Sequence, residues 1–220
     1  MLELVKAGGW PMIPLLLLSA LALAIIVERA WTLRRRTVLP PGLGEEVRAW
    51  AAHGRLDPNH IQSLRMTSPL GELLAAALDV RHRPREQVRE RIEDVGRHLV
   101  HRMERYLNAL GTIAAAGPLL GLFGTVVGMI QMFLGILDHG VGDVNQLAGG
   151  IGKALVCTAT GMIVAIPALA FHRYFRARIG TYIVDMEHEA MQLLDTIETP
   201  PASAEVAPGA HGISPPVSAS

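Results

Sequence analysis

The sequence predicts an all-α integral membrane protein: three transmembrane helices, the second and third extended into a cytoplasmic helical bundle. Three runs carry that prediction. Residues 7–27 and 106–137 hold no charged side chain, and residues 147–171 hold one, Lys153. Each run reaches or exceeds the roughly 20 apolar residues that cross a bilayer as a helix. Half of the residues are hydrophobic and mean hydropathy is +0.31, with the charges confined to blocks between the runs.

The first span opens on Pro11 and Pro14, which fall in its first turns, where a missing amide donor costs least. Ala20, Ala22 and Ala24 offer a small-residue pattern of the kind signal peptidase cuts. Glu28, Arg29, Arg34, Arg35 and Arg36 behind the run read instead as a cytoplasmic border of a retained helix. Residues 1–31 are thus an outer amino terminus and first transmembrane helix.

Residues 32–104 form a cytoplasmic helical segment. Pro40, Pro41, Gly42 and Gly44 mark a linker, and Glu45 to His53 reads as a short helix. Ser68 followed by Pro69 is an N-cap and first helical residue for a helix to about Arg81, and Pro84 opens the next. From there Val88, Ile92, Val95, Leu99, Met103, Tyr106 and Leu110 recur at spacings of three and four, one buried stripe running into the second span.

Residues 105–178 hold the second and third spans, joined by the short loop 138–146, DHGVGDVNQ, which has two acids and no Lys or Arg. Fifteen of the twenty basic residues fall between Arg29 and Arg105, so the loop and the amino terminus face outward and the carboxyl terminus inward. Beyond the third span Ile179, Ile183, Met186, Ala190, Leu193 and Ile197 continue the helical period, making 179–198 a C-terminal helix that packs in the same bundle. Residues 199–220, rich in Pro, Ala, Ser and Gly, are expected to be a disordered tail.

Composition excludes several functions. Formal charge is zero, so no basic excess argues for nucleic acid, and the nine histidines show no metal-ligand spacing. His98 and His101 belong to a solvated helix face. The single Cys157 forms no intrachain disulfide. No nucleophile elbow, phosphate loop or catalytic carboxylate pair is present, so neither an enzyme nor a cofactor is expected.

What remains is polarity and small residues inside the bilayer. Gly117, Gly121, Gly124 and Gly128 repeat at three and four, the pattern that lets membrane helices approach closely. Thr125 shares a face with Gly121 and Gly128, on a contact or lumen side, and Thr158 shares one with Gly161 and Ala165. Thr160 is assigned to a bond with its own helix backbone. Lys153, the only charge within the three spans, lies five residues outward of Thr158, and the two point about 140° apart on an ideal helix. Lys153 either borders a lumen or neighbour, or snorkels to the outer interface. Pro118 and Pro167 lie inside spans, where each removes a backbone bond and shapes a lumen or a packing kink.

The stretches GPLLGLFGTVVGMIQMF, Gly117 to Phe133, and GGIGKALVCTATGMIVAIPALAFHRYF, Gly149 to Phe175, resemble the two signature spans of the MotA/TolQ/ExbB proton channel family, closest to its ExbB members. The resemblance is strong from about Arg105 to Arg178 and faint over the first span. It implies an inner-membrane homo-pentamer whose lumen holds a dimer of a single-span, ExbD-like partner with a membrane aspartate. Proton flow would then drive a TonB-like protein. The same resemblance implies that Thr125 and Thr158 are lumen threonines. Lys153 departs from it, since that position is usually Glu in a pattern like GIxEALxxTAxG. A non-conducting membrane scaffold is the alternative that this departure keeps open.

Overall fold

The computed structural model describes residues 9–53, 57–139 and 144–198. The expected disordered tail, the first eight residues and the middle of the loop 138–146 lie outside the described residues. Those described are helical, with no strand among them. Three helices are long and apolar enough to cross a membrane.

Helix α1 spans Met12–Thr32, with Pro11 at its N-cap and Pro14 in its first turn. It runs past the apolar stretch through Glu28 and Arg29, because its buried stripe, Leu15, Ala22, Ile25 and Arg29, keeps helical phase to the end. A single turn, α2 (Arg35–Val38), leads to Pro40 and Pro41. Gly42, at φ 82°, supplies the left-handed residue that turns the chain into α3 (Leu43–Ala52). Gly44 belongs to α3 and not to the linker expected from its sequence neighbours. It is buried against the Glu189 carboxylate, so it serves packing there and not chain reversal.

Two capped helices follow. Helix α4 (Pro58–Thr67) is capped by Asp57, whose carboxylate accepts from the Asn59 amide at 3.2 Å. Helix α5 (Pro69–Asp79) is capped by Ser68, whose Oγ accepts from the Gly71 amide at 3.1 Å, and nearly every residue from Leu70 to Leu78 is buried. It is the hub of the bundle. Helix α6 (Arg85–Met103) starts right after Pro84 and buries Val88, Ile92, Leu99 and Met103.

The second and third spans are α7 (Leu107–His139) and α8 (Val144–Glu198). Helix α8 is unbroken through the span and the bundle, burying Ile179, Tyr182, Met186, Ala190, Leu193 and Leu194 against α5 and α6. The stripe leading into the second span behaves differently. It is shared between two helices, because the chain turns at residues 104–106 and Tyr106 is exposed.

No proline or glycine causes that break. Arg29 meets it there: its Nη1 donates to the Met103 carbonyl at 3.0 Å, supplying a charged donor to a carbonyl at the end of α6. Arg29 is 5% exposed, and its guanidinium is held by both Glu28 oxygens at 2.5 and 2.9 Å and lies over the Tyr106 ring at 4.9 Å. A second clip fastens the same end of α1, where the Tyr182 hydroxyl donates to the Leu33 carbonyl at 3.0 Å. Arg178 in turn donates to the Tyr182 oxygen, a bond that is the first cause of its raised pKa. Ion pairs of Arg48 with Glu189 at 2.5 Å, Arg85 with Asp195 at 2.8 Å, and Arg102 with Glu72 rim the bundle.

Candidate functional site in the paired membrane helices

Helices α7 and α8 run antiparallel and pack through their smallest residues. A side-chain carbon added at Gly117 would lie 3.1 Å from both the Ala165 Cβ and the Gly161 carbonyl oxygen, and one at Gly128 would lie 3.1 Å from the Ala154 Cβ. At Gly124 it would meet the Cys157 Cβ at 2.6 Å, and at Gly121 the Thr158 Cα at 3.0 Å. The seam extends from Gly111 beside His172 at the basic end to Gly150 beside Met132 at the loop end. Only glycine permits this approach, and in a membrane such packing replaces the missing hydrophobic drive.

Thr158 sits halfway along the seam. Its hydroxyl donates across to the Gly121 carbonyl at 3.2 Å. In a regular helix that carbonyl also accepts the Thr125 amide, so the two threonines are joined through one backbone oxygen. The Thr125 hydroxyl does not cross the seam. It donates to the Leu122 carbonyl of its own helix at 2.6 Å and stands half-exposed beside the glycine row, among the exposed Leu122, Val126 and Met129. Thr160 likewise bonds back to Val156 at 2.8 Å. All three hydroxyls are thus bonded to backbone carbonyls, and of the three only that of Thr158 reaches the neighbouring helix.

Lys153 is not in the seam. It is exposed on α8, one turn beyond Gly149, and makes no ion pair among the described residues. Pro118 and Pro167 lie inside continuous helices, exposed on faces turned from the seam. Each leaves one carbonyl a turn earlier without its amide donor. Among the described residues no cluster of His, Cys, Asp or Glu could hold a metal, and no buried side-chain polar atom lacks a partner.

Sequence reasoning placed Arg29 only in a basic border and did not single out Tyr182. The phase of Arg29 relative to Ala22 and Ile25 was the available signal, since it puts the charge on the buried stripe.

Exposure also shapes what this chain can do alone. Only 17% of the most apolar window of the second span is buried, against 28% for each of the other two. One copy cannot wall off a polar passage beside Thr125, so a passage there requires further helices.

The profile of the MotA/TolQ/ExbB proton channel family matches residues 65–188, which hold both helices of the seam. The chain is 38% identical over 169 residues to the ExbB-like 1 protein of Synechocystis, described as a biopolymer transport protein, covering 76% of this chain and 66% of that one. It is 36% identical over 115 residues to the biopolymer transport protein ExbB of Salmonella typhimurium, covering 52% and 46%, and 38% identical over 93 residues to that of Neisseria gonorrhoeae, covering 42% and 41%. The matched region spans between two fifths and two thirds of these relatives.

Proposed function

The chain belongs to the MotA/TolQ/ExbB proton channel family, and on that premise we propose that it is the channel-forming stator subunit of an inner-membrane energy-transducing complex. Copies of the chain, five in the reading the resemblance implies, surround a dimer of a single-span, ExbD-like partner. Proton flow past the partner's membrane carboxylate is converted to motion, and a TonB-like protein carries the work outward. The basic-end bundle and the tail lie in the cytoplasm, and the loop between α7 and α8 faces outward, in keeping with the charge distribution.

The observation that carries this reading is the Thr158 hydroxyl on the Gly121 carbonyl at 3.2 Å, a hydroxyl donor at mid-seam inside the region matched by the family profile. Hydroxyls buried within a bilayer tend to face a partner or a pathway. Thr125 adds a second hydroxyl on the side that further subunits would cover. The polypeptide's part in this scheme is to hold hydroxyls at fixed depth and to enclose the partner.

Thr158→Ala and Thr125→Ala tests it in cells: energised transport falls to the level produced by an uncoupler while the complex still assembles. Full transport in both variants would contradict the proposal. A second reading, an oligomeric scaffold that conducts nothing, is favoured by one observation, the exposed cation Lys153 where the resembling spans carry Glu. Proton flux absent from both the parent complex and a Lys153→Glu complex would select it.

A further inference from the structure

Arg178 is a half-buried cation whose partners are two phenols and no carboxylate. Its Nε and Nη2 donate to the Tyr182 hydroxyl oxygen at 3.1 and 2.8 Å, and its Nη1 donates to that of Tyr174 at 2.9 Å. A guanidinium carries five N–H donors, so one is left on each terminal nitrogen. Tyr182 is 3% exposed and donates its own proton to the Leu33 carbonyl, which fixes the guanidinium against the end of α1. Tyr174, on the open side, is 51% exposed. Two N–H groups held in one plane by three bonds match two oxygens of a single phosphate.

The acids at this end of the membrane are engaged elsewhere. Glu28 holds Arg29, Glu104 pairs with Arg176 at 3.7 Å, and Asp185, seven residues along α8, pairs with Arg35 at 3.4 Å. Arg34, Arg36, Arg105 and Arg173 belong to the same basic end and also have no carboxylate partner among the described residues. Arg34 lies instead over the exposed Trp31 ring, at 4.6 Å. The border thus carries a cationic excess that the described chain does not neutralise.

Depth identifies the missing anion. Arg178 is seven residues past Phe171, the end of the apolar run, about 10 Å along the axis. Side chains on a helix lean toward its N-terminus, which on α8 is toward the bilayer, and the bond to Tyr174 carries the guanidinium back by up to one turn. It therefore lies in the headgroup layer, which adds about 5–8 Å to each side of the hydrocarbon core.

We propose that Arg178, oriented by Tyr174 and Tyr182, binds the phosphate of an anionic phospholipid at the basic end of α8. An anionic headgroup fits better than a zwitterionic one, because an ethanolamine ammonium would add to the cationic excess with no free acid beside it. Through Tyr182 and the Leu33 carbonyl, the bound phosphate would brace the docking of α1 on α8. The site goes beyond the stator reading and holds whether or not the complex conducts.

The test is native mass spectrometry of the complex purified from its native membrane, stripped of lipid in detergent, and given phosphatidylglycerol or phosphatidylethanolamine with the same acyl chains. Phosphatidylglycerol is expected to bind at least about tenfold more tightly, and Arg178→Met to bring it down to the level of phosphatidylethanolamine. Arg83→Met removes the same charge from an exposed arginine at the far end of α6 and is expected to change nothing. Equal binding of the two lipids would overturn the proposal. So would an equal loss in Arg83→Met, which would reduce the effect to general charge attraction, or displacement of the lipid by millimolar inorganic phosphate, which would make the ligand a soluble anion. If Arg178→Met does not assemble, Tyr174→Phe tests the same site at an exposed ring. It is expected to weaken phosphatidylglycerol about threefold, and unchanged binding there contradicts the assignment.

Discussion

The hydroxyl of Thr158 donates to the backbone carbonyl of Gly121 on the antiparallel neighbouring helix, 3.2 Å away and midway along the membrane seam. The bond exists because Gly121 has no side chain: a Cβ there would press on the Thr158 Cα at 3.0 Å and on the Cys157 carbonyl at 3.1 Å. A single glycine therefore sets both the closeness of the helices and the partner of the hydroxyl.

If Thr158 has the proposed role, removing its hydroxyl is expected to cost little stability and much activity. Interhelical hydrogen bonds in membranes contribute on average about 0.6 kcal/mol, so Thr158→Ala lowers unfolding stability in detergent by about that amount. Energised transport is nonetheless expected to be lost. Thr158→Ser restores it, because the donor returns at the same position. Transport measured beside a denaturation curve separates the two effects.

Substitutions in the seam are far more disruptive than those on open faces. At Gly161 an added Cβ would meet the Gly117 carbonyl oxygen at 2.6 Å, and backbone on both sides has no rotamer with which to yield. Gly161→Ala is expected to destabilise the helix pair by about 1–3 kcal/mol. At Gly180 nothing lies within 4 Å. Gly180→Ala should raise stability by up to about 1 kcal/mol through helix propensity, and thermal denaturation of the two variants checks the contrast.

The antiparallel register has a covalent test. In a Cys157→Ala background, Gly128→Cys with Ala154→Cys places two thiols on carbons already about in contact, since a Cβ added at position 128 lies 3.1 Å from that of Ala154. Mild oxidation should give an intrachain disulfide that alters mobility on a denaturing gel. Pairing Gly128→Cys with a cysteine at Gly161 should give none, because that residue faces Gly117 and Gly121.

Arg29 fastens the first membrane helix to the turn between α6 and α7. Arg29→Met leaves the Met103 carbonyl without its charged donor and frees Glu28, a loss of about 1.5–3 kcal/mol for a hydrogen bond to an ionised group. Hydrogen exchange should then rise over residues 100–110 more than over α5. Tyr182→Phe, which removes the bond to the Leu33 carbonyl, should cost about 1 kcal/mol and loosen residues 30–35 instead.

Much of this architecture is legible in the chain because membrane helices announce themselves by length and lack of charge, and Ser68–Pro69 by a local cap. Asp57–Pro58 carries the same cap signature and opens α4, a helix not expected from the sequence because the residues after the cap, Asn59 to Thr67, are mostly polar and give a weak apolar stripe. The turn at 104–106 is illegible for a different reason. The donor that satisfies its Met103 carbonyl, Arg29, is 74 residues away in sequence, and no local propensity records a donor arriving from another helix. At the site, the glycine spacing points to a contact face, yet the different bonding of Thr125 and Thr158 depends on which neighbour lies within reach. That is a tertiary fact.

The decisive measurement is proton flux into proteoliposomes holding the complex purified from its native membrane, driven by an imposed potential and read with an internal pH dye. A stator that passes protons by way of the seam hydroxyl gives flux in the parent complex, its loss with Thr158→Ala and its return with Thr158→Ser. Equal flux from the parent and Thr158→Ala complexes, or none from the parent, would refute that role.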